Sequence, residues 1–185
     1  MRPYRLLSVM PGTFILSLDT EIAWGTDAAL LPRYAACFDG YRPLLRRLVT
    51  LLDACAIPAT WAVVGHLFLK PGDARALPRQ PESWYFGADI LDTVRAARTT
   101  QEIGTHTFSH AYARQVSREV WQAELEMCAA LHREHGLPMR SLVFPRNQVA
   151  YLDMLPQYGI TSYRGIEGQR ATERRGVAHL AQRAL

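Results

Sequence analysis

Apolar stretches of strand length alternate with amphipathic stretches of helical length along most of this chain. The sequence predicts strands at 13–18, 57–64, 102–108, 141–144 and 161–163, and helices at 41–54, 89–98, 117–135 and 151–157. Helical connections between successive strands are typical of a parallel sheet or barrel with its helices outside. A chain of 185 residues is long enough to bury a core of its own. We therefore expect one α/β domain over residues 1–185.

Polar residues that can do chemistry stand where predicted strands end. Asp19 and Glu21 follow the first strand, His106 and His110 lie at the end of the third, and Arg146 follows the fourth. In parallel α/β folds the reactive groups lie at the carboxyl ends of the strands. We therefore expect these five side chains to share one rim of the sheet.

The stretch GTHTFSH at 104–110 contains two histidines four residues apart. Two neutral imidazoles that point to one place suit a divalent metal such as zinc, and Glu21 or Asp19 would supply an oxygen ligand. The alternative is that His106 and His110 are ordinary polar residues at a strand end. An acidic strand end elsewhere in the chain favours the metal, because buried carboxylates are costly unless paired or ligated.

Three motifs in the expected order resemble those of one enzyme family. The stretch EIGTHTFSH at 102–110 is similar to the H-[ST]-x-x-H motif of the polysaccharide deacetylases, the NodB-homology group also called carbohydrate esterase family four. SLDTE at 17–21 resembles their first motif in a divergent D-x-E form, and VFPRN at 143–147 stands where R-x-P-Y is expected. The resemblance extends over residues 10–165, and only the second motif is specific by itself.

This resemblance implies a distorted (β/α)7 barrel of the glycoside hydrolase and deacetylase type that removes acetyl groups from N-acetylated sugars. Asp19 would be the general base, and Glu21, His106 and His110 would hold a divalent metal, with zinc expected first and cobalt, nickel or manganese as alternatives. In this reading Arg146 orients Asp19 through a charge-assisted hydrogen bond. The expected partner is an N-acetylated sugar or a polysaccharide precursor.

The family also has a late L-x-H motif, whose histidine protonates the leaving amine. Thirty-nine residues follow Arg146, and His179 is the sole histidine among them. Its surroundings resemble the motif only weakly, so we expect His179 in a helix or tail and a barrel that is incomplete at the C-terminus. An incomplete barrel exposes a sheet edge, which favours a homo-oligomer.

The missing motif leaves two alternatives to deacetylation. One is a glycan-binding or regulatory remnant of a deacetylase with impaired catalysis. The other is an allantoinase-like hydrolase of small amides, although such relatives usually lack one of the two motif histidines.

Three further side chains are candidates for substrate binding. Trp24 and Trp84 have faces that stack on sugar rings, and His66 follows the second predicted strand. The alternative for each is packing within or beneath the loop predicted at 70–84. We expect His132 and His135, on the helix at 117–135, to be surface residues.

Composition excludes some classes of partner. The net charge of +4 is accompanied by no nucleic-acid motif, so we expect no nucleic-acid partner. No apolar stretch approaches the roughly 18–20 residues of a membrane span. The three cysteines fit neither a disulfide framework nor a zinc ribbon, and the N-terminal stretch lacks the core of a signal peptide. These features predict a cytoplasmic protein.

Overall fold

The computed structural model describes residues 13–165, and its centre is a parallel five-stranded sheet. The strands are β1 (Ser17–Thr20), β2 (Thr60–Val63), β3 (Glu102–Thr105), β4 (Ser141–Val143) and β5 (Ser162–Arg164). Their order in the sheet equals their order in the chain, so each connection leads to the neighbouring strand. The sheet curls into a half-barrel, which confirms the predicted α/β barrel class.

Within residues 13–165, five α-helices lie in the first three connections between the strands. They are α1 (Leu31–Asp39), α2 (Tyr41–Ala54), α3 (Glu82–Tyr85), α4 (Ala88–Arg95) and α5 (Arg118–Glu134). Short 3-10 helices follow β1, β2 and β4 and precede β5, at Ala28–Leu30, Gly65–Phe68, Pro145–Asn147 and Leu152–Tyr158. The helix predicted at 151–157 is therefore a 3-10 helix, and α3 lies at the end of the predicted loop.

The first strand begins four residues later than predicted. Phe14 and Ile15 are 84% and 75% exposed, because the pairing of β1 with β2 starts only at Ser17. The apolar character of 13–16 was thus a misleading signal for a buried strand. As a consequence Asp19 belongs to the strand itself, and Glu21 is the first residue after it.

Helix α5 has the ends that its sequence predicts. The Ser117 hydroxyl accepts a hydrogen bond from the Val120 amide, and Gly136, at φ +66°, follows the helix. The expectation that His132 lies on the surface is wrong: its side chain is buried, with its ring centroid 5.0 Å from that of Phe68. Burial lowers the pKa of His132 to about 4, so this imidazole is neutral at pH 7.

Most of the buried apolar side chains of the described residues belong to one hydrophobic cluster. Trp61, Trp121 and Phe144 are its largest fully buried members. Within residues 13–165, no helix combines the length and the apolar character that crossing a membrane requires. His179 lies outside the described residues.

Candidate metal centre and its pocket

The carboxyl ends of β1 and β3 bring Glu21, His106 and His110 together. The Glu21 Oε2 atom lies 2.8 Å from His110 Nε2 and 3.3 Å from His106 Nε2. Both histidines are buried, whereas the Glu21 side chain is 36% exposed and faces a pocket. Three potential ligand atoms within 4.8 Å of one another meet the geometric requirement for a metal site with an open side.

The segment from His106 to His110 is an irregular loop that follows β3. Thr107 and His110 adopt left-handed backbone conformations, with φ of 65° and 62°. Helix α5 holds this loop through Glu124, whose carboxylate accepts hydrogen bonds from the Ser109 amide at 2.8 Å and the Ser109 hydroxyl at 2.6 Å. Glu124 therefore fixes the residue that directly precedes His110, a role that the sequence alone did not reveal.

The protonation of His106 decides what the site can hold. Its Nδ1 lies 2.7 Å from the Val143 carbonyl oxygen, which only accepts, so Nδ1 carries the proton and donates it. In the neutral ring Nε2 is then an unprotonated acceptor that faces the Glu21 carboxylate. Two facing acceptors repel each other unless a proton or a cation lies between them. This donor set, two imidazole nitrogens and one carboxylate oxygen, fits zinc or a similar divalent ion.

The electrostatics of Glu21 agree with a site for positive charge. Burial opposes the ionisation of this carboxyl. When a proton lies on the facing ring nitrogens, hydrogen bonds and charge interactions with His106 and His110 outweigh burial and lower the pKa of Glu21 to about 2. Glu21 is therefore ionised at pH 7. On the other side of the site, the buried Nδ1 atom of His110 has no hydrogen-bond partner among the described residues.

Gly25 lies directly against the His110 ring. Its φ is +76°, and a Cβ built on it would be 2.2 Å from Cε1 and 2.7 Å from Nε2 of His110. No real side chain fits at these distances. The glycine is thus required both by the backbone conformation and by the space that the imidazole occupies.

Asp19 pairs with an arginine other than the expected one. Arg164 of β5 donates from one terminal nitrogen to Asp19 Oδ2 at 2.6 Å and from the other to the Ser17 hydroxyl at 3.0 Å. Arg146 also lines the pocket, but within residues 13–165 the hydrogen bond to Asp19 that we expected from Arg146 is made by Arg164. The pair links the first and fifth strands, so only the curled sheet reveals it.

The three expected substrate contacts lie elsewhere. Trp24 is buried, and its indole N–H donates to the Tyr85 carbonyl at 3.2 Å. His66 is fully buried between two backbone groups: Nδ1 donates to the same carbonyl at 3.0 Å, and Nε2 accepts from the Leu77 amide at 2.9 Å. Trp84 donates to Asp39 at 2.7 Å. None of the three lines the pocket at Glu21 and the two histidines, so contact with a sugar bound there is not supported for them.

The pocket above the triad is open and has a volume of about 480 Å³. It is lined by the triad and by Asp19, Gly25, Thr26, Asp27, Leu30, Tyr34, Phe144, Arg146, Asn147 and Arg164. Tyr34, which is 39% exposed on α1, offers an aromatic face at the rim. The sequence analysis missed this residue because it did not predict α1.

The curled parallel sheet, with a carboxylate and two histidines at the carboxyl ends of its strands, has the architecture of an α/β barrel with a candidate site at that end. The family model for polysaccharide deacetylases matches residues 33–160. The chain therefore belongs to the polysaccharide deacetylase family, as its motifs indicated. Among curated proteins, no sequence matches this chain.

Solved structures of other proteins share the fold. IcaB from Ammonifex degensii aligns with a TM-score of 0.52 at 16% identity, over 83% of this chain and 60% of that one. The deacetylase domain of BpsB from Bordetella bronchiseptica aligns with a TM-score of 0.52 at 15% identity, over 83% of this chain and 63% of that one. The chain thus spans less than two thirds of the length of either structure.

Proposed function

We propose that this protein removes N-acetyl groups from a glycan or an activated sugar by metal-dependent hydrolysis, which releases acetate and leaves a free amine. Membership of the polysaccharide deacetylase family supports the reaction class. The observation that carries the proposal is the convergence of His106 and His110 on one oxygen of Glu21, at 3.3 and 2.8 Å. The His106 tautomer adds weight, since it calls for positive charge between the ring and Glu21.

In this proposal Glu21, His106 and His110 hold the metal, with zinc the first candidate. A divalent cation bound there would polarise the acetamide carbonyl and make an attacking water more acidic. Asp19, in the same pocket, accepts the proton of that water. Arg164 fixes the orientation of the Asp19 carboxylate and balances its charge. The proton gained by Asp19 is then available to the leaving nitrogen, so the step balances within the pocket.

We place the reaction in the cytoplasm, on an N-acetylated sugar or a polysaccharide precursor. The support for the location is the state of the cysteines: Cys37 and Cys55 are exposed free thiols, and Cys128 is a buried free thiol. Such thiols are typical of a reducing compartment.

Two measurements on the purified chain test this proposal. The first is acetate release from a panel of N-acetylated sugars after chelation and after zinc is added back. We expect release to disappear with the chelator and to return with zinc. Acetate release that is indifferent to the chelator would refute metal dependence.

The second measurement compares variants by calorimetric zinc titration and by acetate release. His106→Ala and His110→Ala are expected to lose zinc binding, whereas Asp19→Asn keeps zinc and loses acetate release. His135→Ala is the matched control, since this histidine lies at the end of α5, outside the pocket. Full zinc binding in both triad variants would reject the site, and full activity in Asp19→Asn would reject its role as the base.

A further inference from the structure

The two arginines of the pocket are in different states. Arg164 is engaged by Asp19 and Ser17. Arg146 is exposed at the rim, and within residues 13–165 no carboxylate lies within salt-bridge distance of its guanidinium. An unpaired guanidinium in a substrate pocket is a group available to the substrate.

The backbone holds Arg146 at the rim at an energetic cost. Arg146 and Asn147 both have φ of 53°, in the left-handed region that arginine rarely adopts. Amides of the following residues anchor the turn: Asn147 donates to the Phe144 carbonyl at 2.9 Å, and Gln148 to the Pro145 carbonyl at 3.1 Å. Phe144 is itself fully buried. Strain that a fixed turn maintains beside a pocket is typical of functional positions.

Arg146 differs from the other charged groups that line the pocket, because each of those has a partner among the described residues. The opposite charges of Asp19 and Arg164 cancel at 2.6 Å. Asp27 accepts a hydrogen bond from the Ala29 amide at 2.9 Å, so it caps the 3-10 helix at Ala28–Leu30. With Glu21 committed to the histidines, Arg146 is the charged group of the described pocket that remains without a partner.

We propose that the N-acetylated substrate carries an oxyanion group, a phosphate ester or a sugar carboxylate, which the Arg146 guanidinium binds while the acetamide faces Glu21 and the two histidines. This inference rests on the proposed function and narrows its substrate class. The planar guanidinium fork matches phosphate and carboxylate oxygens in bidentate geometry.

Binding, measured separately from turnover, tests the inference. Calorimetry compares three probes on the zinc-loaded and on the chelated chain: N-acetylglucosamine, N-acetylglucosamine 1-phosphate and N-acetylmuramic acid. We expect at least one anionic probe to bind about tenfold more tightly than the neutral sugar in both forms of the protein. The two anionic arms distinguish phosphate from carboxylate recognition.

Variants assign that preference to a residue. Arg146→Gln is expected to bring the three probes to equal affinity, and Arg146→Lys to retain part of the preference. Arg47→Gln is the matched control, because Arg47 is exposed on α2, outside the pocket. An equal affinity of the wild type for all probes, or a full preference in Arg146→Gln, would overturn the inference.

The outcomes separate this inference from the reaction on which it rests. Acetate release without any preference for anionic sugars would refute the anion site and leave the deacetylase proposal intact. Arg146-dependent binding without acetate release from any probe would support the anion site and count against the proposed reaction.

Discussion

Gly25→Ala is the substitution with the sharpest expected effect on the site. The new Cβ would lie 2.2 Å from His110 Cε1, and ordinary contact begins at 3.4 Å, so the ring must retreat by about 1.2 Å. Ligand positions in metal sites tolerate only about 0.2 Å. We therefore expect zinc affinity to fall 100-fold or more, equivalent to about 2.7 kcal/mol. Calorimetric zinc titration of the purified variant measures this loss.

Gly72→Ala is the matched control for this experiment. Gly72 has φ of +89°, and a Cβ built on it meets no atom within 4 Å. Both alanines incur about 1–2 kcal/mol of backbone strain, which chemical denaturation reports, but only one touches His110. Zinc binding by Gly25→Ala as tight as that of Gly72→Ala would show that Gly25 does not confine the imidazole, and the reasoning would be refuted.

Three further predictions concern the surroundings of the site and the core. Arg164→Gln is expected to lower kcat about 10- to 100-fold and to keep zinc binding, because it frees Asp19 without touching the ligands; unchanged kcat in steady-state assays would refute this. Glu124→Ala should weaken zinc binding about tenfold, because both hydrogen bonds to Ser109 are lost. Glu124→Gln should retain most of the zinc affinity, and Glu126→Ala, on the exposed side of α5, should retain all of it. Equal calorimetric affinities of the three variants would contradict the prediction. The pKa of His132 is about 4 in the folded protein and about 6.5 in the unfolded chain. As the pH drops from 6.5 to 4, the unfolded chain therefore binds a proton on His132 that the folded protein does not, and the free energy of unfolding falls. Between pH 7 and 4.5 the wild type should lose about 2 kcal/mol more than His132→Gln in urea unfolding, and parallel pH profiles would refute it.

Local patterns indicated the two histidines and left the oxygen ligand open between Glu21 and Asp19, and the family resemblance favoured Glu21. The H-x-x-x-H spacing and the acidic strand end are short-range signals, and the parallel sheet then brings Glu21 to the histidines. The alternation of strands and helices predicted a parallel sheet or barrel with helices outside, and the family resemblance then implied the barrel.

The residues that the sequence analysis missed depend on the curvature of the sheet and on space. Arg164 meets Asp19 across 145 positions of the chain, and no local pattern distinguishes it from Arg146. Gly25 is one glycine among twelve until the His110 ring is seen beside it. For His66 the error was of the opposite kind, because a residue that is buried and does not line the pocket was predicted to contact substrate. His66 follows a strand, which suggested an accessible side chain, but backbone groups bind both of its ring nitrogens.

Helix α1 escaped prediction because its apolar signal is weak. Among its nine residues only Phe38 is buried, and Pro32 in its first turn reads equally well as a turn residue. Tyr34 at the pocket rim was missed together with the helix.

A crystal structure of the zinc-soaked chain, with data at the zinc absorption edge, tests the central claim most directly. The account predicts one anomalous peak about 2.0–2.2 Å from Glu21 Oε2 and from the Nε2 atoms of His106 and His110. An empty triad, with zinc instead on the exposed thiols of Cys37 or Cys55, would contradict it.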